Sequence, residues 1–293
     1  VSVFDGISCG ALAIKRAGIP IDKYIAYEIN SDAINISKKN HPEIQHRGDV
    51  TVADFSEFKG FDLLIGGSPC QSLSSSNVWL GDGEYGVEGN GKSSLFWEYV
   101  RALKEIQPKY FLFENVASMR KRDRDIITQQ LGVEPVKVDS QLFSPQKRNR
   151  LYWTNIPFEQ VLERQTNITM KDILEPDVPD KYYVCPGTLK YITTPVKNGW
   201  VSGKMEMDLE IGRPITASCW KIHRADTDNY ITSHRTPEGR SNVRRLTPLE
   251  CERIQTLPDN YTLIDGIKDK ARYEAIGNGW TVDVITHIFK GLK

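Results

Sequence analysis

The chain has 293 residues, 39% hydrophobic and 26% charged, which predicts a soluble globular protein with one large domain and a smaller one. Its 38 basic and 38 acidic residues cancel, so bulk charge gives nucleic-acid binding no support and any such case must rest on local patches. Five cysteines (Cys9, Cys70, Cys185, Cys219, Cys251) without a CxxC pair argue against a disulfide framework or a zinc site and predict a reducing cytoplasm or nucleus. No apolar run reaches the ~20 residues of a membrane-spanning helix. The chain opens on the strand-like Val1-Ser2-Val3-Phe4, with neither a signal peptide nor an initiator methionine, so a few leading residues are expected to be missing.

The first half alternates between strand and helix patterns. Val1 to Phe4 is a short apolar run ending at Gly6, and a helical stretch around Ala11-Leu12-Ala13-Ile14 stops at Gly18. Tyr24 to Tyr27 is the next strand, closed by Glu28, and a helix follows over about Asp32 to Lys39. Phe61 to Ile65 is strand-like and ends in Gly66-Gly67; Phe96 to Ile106 is helical; Tyr110 to Phe113 is again a strand. Short apolar strands separated by helices predict an α/β fold, a doubly wound and mostly parallel sheet. Right-handed crossovers put every strand's C-terminal end on one edge, where such sheets bind ligands.

That edge carries Asp5-Gly6, Glu28, Asp49, Ser68-Pro69-Cys70 and Glu114-Asn115. Any one of these is explained by a turn or a helix cap, but four carboxylates and a cysteine on one edge are not. Between a strand and a helix, the turn Phe4-Asp5-Gly6-Ile7-Ser8-Cys9-Gly10 lets the backbone approach a ligand closely. Glu28 can accept from both hydroxyls of a ribose, and Asp49 from an adenine amino group. Because Ser8 and Cys9 intervene, the spaced glycines of GxGxxG are absent, which fits a ligand without phosphates, such as S-adenosylmethionine.

After Cys70 comes a long segment, Ser72 to Lys92, rich in glycine (Gly81, Gly83, Gly86, Gly89, Gly91), which reads either as a disordered surface loop or, given its place after Cys70, as a lid. From about Ile156 to Val243 prolines scatter and helix periodicity is lost, which marks the smaller domain. Between Arg213 and Arg245 seven Lys or Arg face three Asp or Glu, with two histidines and Trp220 among them. The patch reads either as a solvated basic face or as a phosphate-contacting surface. The helix pattern returns at Thr247-Pro248-Leu249-Glu250, with Thr as N-cap, Pro at the first position and Glu at the third.

Gly66-Gly67-Ser68-Pro69-Cys70-Gln71 carries the most chemistry. A lone cysteine is usually a small buried hydrophobe, but one on a Gly-Gly-Ser-Pro turn at a strand end is presented to a ligand. With Pro69-Cys70-Gln71, Glu114-Asn115-Val116, Gln146-Lys147-Arg148-Asn149-Arg150 and a late Gly277-Asn278 followed by a valine in order, the chain resembles the 5-methylcytosine DNA methyltransferase family. Phe4-Asp5-Gly6-Ile7, Ile65 to Cys70, Leu112 to Val116 and Trp280 are similar to the animal de novo branch. Arg245-Leu246-Thr247-Pro248, Glu250, Arg253, Gln255 and Pro258 resemble the bacterial and phage enzymes. The middle, Ile156 to Val243, matches no recognition domain.

The resemblance implies a methyl group transferred from S-adenosylmethionine to carbon 5 of cytosine in double-stranded DNA, with S-adenosylhomocysteine as product and no metal. The Cys70 thiolate would add to carbon 6 and make carbon 5 enamine-like. Glu114 would hold a proton shared with ring nitrogen 3, Arg150 would donate to the base's carbonyl oxygen, and Arg148 would support the loop or a phosphate. The base must leave the duplex for this, and Ser76 occupies the place of the lid residue that fills the gap, although a plain loop serine explains it equally. Cofactor-binding positions by the same resemblance are Phe4, Asp5, Gly6, Ile7, Cys9, Glu28, Ile29, Asp49, Val50, Pro69, Leu95, Asn278, Gly279 and Trp280, although Leu95 and Trp280 are equally explained by core packing. Arg235, Arg240 and Arg244 are the expected DNA contacts.

The expected division is residues 1–155 with 246–293 as the catalytic domain and 156–245 as the target-recognition domain. A monomer or homodimer is expected, in the cytoplasm of a bacterial or phage-infected cell, or in a eukaryotic nucleus, with no membrane partner. Two rivals stay open. One is an RNA (tRNA) cytosine-5 methyltransferase of the same family, whose Cys-Phe-Thr stretch has no counterpart here. The other is a catalytically silent DNA-binding relative, although such relatives lose the cysteine, the glutamate or the first turn, and all three are present.

Overall fold

The computed structural model describes residues 1–70, 73, 86–194, 205–222 and 224–292. They divide into two compact units: residues 1–139, 149–160 and 282–293 in the first, and 140–148 with 161–281 in the second.

In the first unit the strands are short and apolar, as expected where both faces of a sheet are covered. They are β1 (Ser2–Val3), β2 (Ile25–Tyr27), β3 (Gln45–His46), β4 (Leu63–Gly66), β5 (Tyr110–Val116), β6 (Val136–Asp139) and β7 (Asn149–Thr154), in the sheet order β3-β2-β1-β4-β5-β7-β6. β1 to β5 pair in parallel, and β7 runs antiparallel to both β5 and β6. This is the mostly parallel α/β fold that the strand and helix patterns predict. Between the strands run α1 (Cys9–Arg16), α2 (Ser31–Asn40), α3 (Phe96–Ile106) and α4 (Lys121–Leu131). Gly18, at φ +74, follows the end of α1, and Asn30 caps α2 by accepting from the Ala33 amide at 3.0 Å.

Register decides what meets at the sheet edge. Val3 pairs with Tyr27 on one side and Gly66 on the other, and Gly66 pairs with Phe113. The next residue of each strand therefore falls in one row: Phe4, Glu28, Gly67 and Glu114. The chain leaves β1 toward β2 and β3 and returns on its other side through β4, so the strand order reverses at β1. Gly66 is forced by packing, because a Cβ there would lie 2.7 Å from the Val3 carbonyl oxygen and from its side chain.

An aromatic core sits under this edge. Phe113 packs on Tyr99 and Phe96 at ring-centre distances of 4.8 and 5.3 Å, and Tyr27 meets Phe55 at 5.3 Å. These rings are buried with Val3, Ile25, Leu64 and Trp153. Each buried ring contributes roughly 2–3 kcal/mol by area. The last helix of the chain, α8 (Val282–Phe289), packs on α1, with an ion pair between Arg16 and Asp283 at 2.7 Å.

The second unit holds α5 (Pro186–Thr193), an antiparallel pair of β8 (Tyr230–Thr232) and β9 (Val243–Arg245), α6 (Pro248–Ile254) and α7 (Asp269–Asn278). Its small core is Val184, Ile192, Tyr230 and Val243. Thr247 and Glu250 form the capping box the sequence predicts, with Pro248 at the first helical position. α5 lies where periodicity was too weak to predict a helix.

The compact units do not follow the expected boundaries. Residues 246–281, expected with the catalytic domain, pack inside the second unit, and 282–293 in the first. The reason lies in two ion pairs buried in the second unit: Glu250 holds Arg244 at 2.8 Å, and Glu252 holds Arg272 at 2.9 Å. Both glutamates lie on α6, so that helix is tied to β9 and α7. No helix among the described residues is long and apolar enough to cross a membrane.

Candidate active site

The first turn is built from left-handed backbone. Phe4, Gly6 and Ser8 have φ of 59, 58 and 60°. Glycine tolerates this, but a bulky Phe in that region is strained by roughly 1–2 kcal/mol, a feature that concentrates at ligand-binding turns. Carboxylates hold the turn. Glu28 accepts from the Gly6 amide at 2.9 Å through one oxygen and from the Ile29 and Asn30 amides at 2.9 and 2.8 Å through the other. An ionised carboxylate has about four acceptor sites, so capacity for a hydroxyl donor remains. Asp5 accepts from the Tyr24 hydroxyl at 2.8 Å and from the Ser8 hydroxyl. Burial pushes the Asp5 pKa up, while the hydroxyls of Ser2, Ser8 and Tyr24 work against that rise.

The other expected cofactor positions of this unit divide by exposure. Ile7, Cys9 and Val50 are buried, so only their backbone can line a surface. Ile29 stands 75% exposed, unusual for a large apolar side chain beside an acidic strand end. Asp49 is exposed and follows β3 as the cap of the 3-10 turn Val50–Val52; the amide and hydroxyl of Thr51, both at 2.8 Å, hold its carboxyl below the usual range. Leu95 closes the 3-10 turn Lys92–Leu95 half-buried.

Two side chains, with three bonds between them, fix the turn that carries Cys70. The buried Asn115 amide of β5 donates to the Ser68 carbonyl at 3.1 Å and to its hydroxyl at 3.2 Å. The Ser93 hydroxyl donates to the Pro69 carbonyl at 2.7 Å. Cys70 is half-buried and packs, as Phe4 does, against the aromatic core. One strand over, Glu114 pairs with Arg150 of β7 at 2.9 Å, both side chains mostly shielded. The register pairs Glu114 with Tyr152 and Val116 with Arg150, which makes Glu114 and Arg150 diagonal neighbours on one face.

Arg148 belongs to the second unit and is buried. It donates to the carbonyls of Ile215 at 2.7 Å, Gly277 at 3.1 Å and Gly279 at 3.0 Å. Of its two expected roles, supporting a loop fits and contacting a phosphate does not. Gly277 allows the close approach, since a Cβ there would lie 2.3 Å from the Thr216 and Ala217 backbone. Asn278 is exposed, and Gly279 and Trp280 are half-buried.

Arg244 corrects an expectation. Its side chain is 4% exposed and forks onto Glu250 at 2.8 Å through both terminal nitrogens, so it presents nothing to a phosphate. Arg235 is exposed but ion-paired with Asp180, and Arg240 is half-buried against the Tyr183 carbonyl and the Cys185 sulfur. Ser76 and most of the glycine-rich segment lie outside the described residues. Among the described residues no cluster of three or more His, Cys, Asp or Glu could hold a metal ion.

Sequence reading missed several polar side chains in each unit. Asn115 appeared only as part of a motif, and Tyr24 only as a strand residue. Gln146 and Gln255, buried and bonded to each other at 2.8 Å, were legible only as motif letters. Their partners lie over a hundred residues away, and no local pattern encodes such a pairing.

Comparison with known proteins shows the family. A family model described as C-5 cytosine-specific DNA methylase fits residues 1–293. Type II methyltransferase M1.ScrFI of Lactococcus lactis subsp. cremoris is 27% identical over 97% of this chain and 75% of its own length. Orphan methyltransferase M.SPRI of Bacillus phage SPR is 24% identical over 100% of this chain and 96% of its own. Among solved structures, the Entamoeba histolytica methyltransferase EhMeth superposes with a TM-score of 0.75 at 21% identity, and the S. pombe Dnmt2 methyltransferase with 0.72 at 18%, each covering 100% of this chain and 98% of its own. These last two establish likeness of fold. With the family matched from end to end, the chain belongs to the C-5 cytosine-specific DNA methylases, the DNA (cytosine-5) methyltransferases.

Proposed function

We propose that the chain methylates carbon 5 of cytosine in double-stranded DNA through a covalent adduct between Cys70 and a flipped-out base, with S-adenosylmethionine as donor. The observation that carries this reading is the shared sheet edge: Phe4, Glu28 and Glu114 stand in one register row, and Asn115, next to Glu114, grips the turn bearing Cys70. The residues present suit the cofactor. The strained turn and Val50 offer backbone, Glu28 retains acceptor capacity for a ribose, Asp49 can accept from an adenine amino group, and Phe4, Ile29 and the Pro69 and Leu95 positions supply apolar contact. For Asn278, Gly279 and Trp280 the assignment rests on resemblance alone.

S-adenosylmethionine supplies an electrophilic methyl group when bound. The Cys70 thiolate adds to carbon 6 of the base, and the ring electrons move to carbon 5, which takes the methyl. Glu114 holds a proton at ring nitrogen 3 as negative charge develops, and Arg150 donates to the carbonyl oxygen. Loss of the carbon 5 proton returns electrons to the ring and expels the Cys70 sulfur. Arg148 keeps the Gly277–Gly279 backbone in place. Residues 1–155 and 246–293 are the proposed catalytic part and 156–245 the target-recognition part, with Arg235 and Arg240 as phosphate contacts after release from their present partners. We propose a monomer or homodimer working in the cytoplasm of a bacterial or phage-infected cell, or in a eukaryotic nucleus.

A duplex containing 5-fluorocytosine tests the mechanism, because fluorine cannot leave as a proton does. Wild type is expected to form a denaturation-resistant complex with it in the presence of S-adenosylmethionine, and Cys70→Ser is not. Equal methyl transfer by Cys70→Ala would refute the covalent route, and transfer to tRNA but not to duplex DNA would refute the substrate.

A further inference from the structure

Behind the first turn runs a chain of hydroxyls that the proposed chemistry does not use. Ser8 Oγ donates to Asp5, and Ser8 Oγ and Ser37 Oγ lie 2.6 Å apart. Ser37 Oγ is 3.1 Å from His46 Nε2, and Tyr24 OH donates to the second Asp5 oxygen at 2.8 Å. Ser8 and Ser37 are fully buried. The chain spans four elements: the turn after β1, the start of α1, the middle of α2 and β3.

The proton order follows from counting donors. The Ser8 proton goes to Asp5, so Ser37 must give its own to Ser8, and Ser37 then accepts from His46 Nε2–H. His46 Nδ1 is left as a buried lone pair without a hydrogen-bond partner, which is consistent with a neutral imidazole carrying its proton on Nε2. Burial lowers the His46 pKa, which agrees. Every proton in the relay thus points toward the Asp5 carboxylate. Donors aimed at the ionised form stabilise it, and a chain of them polarises in series.

We infer that Tyr24, Ser37 and His46 are positioning residues that keep Asp5 ionised behind the first turn and thereby set the affinity for S-adenosylmethionine and its dependence on pH. The inference rests on the cofactor reading given above. The cofactor carries an ammonium and a sulfonium against one carboxylate, a net positive charge, so a buried anion behind the turn favours its binding, and a neutral Asp5 does not. The groups facing Asp5 are Ser2 from β1 and the Val1 amino group just ahead of it, Ser8 at the start of α1, Tyr24 ahead of β2 and His46 from β3; Lys38 and Glu28 act on His46 in turn. Binding is then complete above the Asp5 pKa and is lost as pH falls through it. Removing a donor to the anion raises that pKa further, so the loss begins at higher pH.

Calorimetric titration of S-adenosylmethionine into the full chain between pH 5 and 8 tests this. Tyr24→Phe, which deletes one hydroxyl and keeps the ring, is expected to move the onset of weakening upward by about half to one pH unit, with Kd raised about three- to tenfold on the acidic side. Ser37→Ala, which cuts the relay at a different residue, is expected to shift it the same way. Curves that overlay wild type, or that weaken equally at every pH, would overturn the inference while leaving the cofactor reading intact. Failure of wild type itself to bind S-adenosylmethionine would overturn the proposed function, and the relay's role with it.

Discussion

Arg150 Nε and Glu114 Oε1 stand 2.9 Å apart on adjacent antiparallel strands, the pair to which the proposed function gives the cytosine. The pair keeps each group oriented before a base arrives, and the base must then share or replace the contact. Glu114→Gln removes a group that can hold and return a proton, and is expected to reduce the rate of methyl transfer by about 10²–10⁴-fold. Arg150→Lys keeps the charge but loses the planar fork, so a loss of about tenfold or more is expected. Single-turnover kinetics on a short duplex check both, and a Glu114→Gln enzyme with unaltered rate would remove Glu114 from the chemistry.

Arg244 and Glu250 make the opposite kind of pair, closed to solvent and answering to stability. Arg244→Met leaves the Glu250 carboxylate buried with only its backbone donors, at an expected cost of about 3 kcal/mol in urea unfolding. Combining it with Glu250→Gln should recover much of that loss. If DNA binds, its salt dependence is expected to stay the same in the double variant, since Arg244 touches no phosphate.

Gly277 is a packing requirement that can be measured directly. A methyl group there would collide with the Thr216 and Ala217 backbone at 2.3 Å, and backbone cannot swing aside as a side chain can. Gly277→Ala is expected to destabilise the chain by about 3 kcal/mol, despite the better helix propensity of alanine. Thermal melting that shows Gly277→Ala as stable as wild type would contradict that collision.

His41 gives stability a pH dependence. Burial, with the Lys15 ammonium at 3.0 Å as a second cause, brings its pKa down to about 4 from an ordinary value of 6.5. The unfolded chain therefore binds a proton that the folded chain refuses between pH 6.5 and 4. Its contribution is complete above pH 6.5 and is lost as pH falls toward 4, by up to about 3 kcal/mol. His41→Gln is expected to flatten this part of the stability curve, as measured by denaturant unfolding at pH 7, 5.5 and 4.5.

Much of the first unit could be read from the chain because its signals are local. Val1 to Phe4, Tyr24 to Tyr27, Phe61 to Ile65 and Phe96 to Ile106 announce their elements by apolar runs and helix periodicity, and parallel pairing then dictates which residues reach the edge. Other features depend on partners far apart in sequence. Nothing near Arg244 distinguishes a buried ion pair from a surface cation, because the glutamate that claims it lies on the following helix. The relay from Tyr24 to His46 is assembled from ordinary serines and a histidine whose roles appear only when α1, α2 and β3 come together. The helix Pro186–Thr193 lacks a side-chain cap and is short, so packing more than propensity makes it.

The missing side chain at Gly66 has a mechanical consequence. With β4 pressed against the Val3 carbonyl and side chain, β1 and β4 are expected to move together. The proposed nucleophile hangs from one strand and the cofactor turn from the other, so their separation is insulated from motions that displace both. The spacing that the proposed methyl transfer depends on is thus held where β4 lies close against the Val3 carbonyl and the Val3 and Tyr99 side chains.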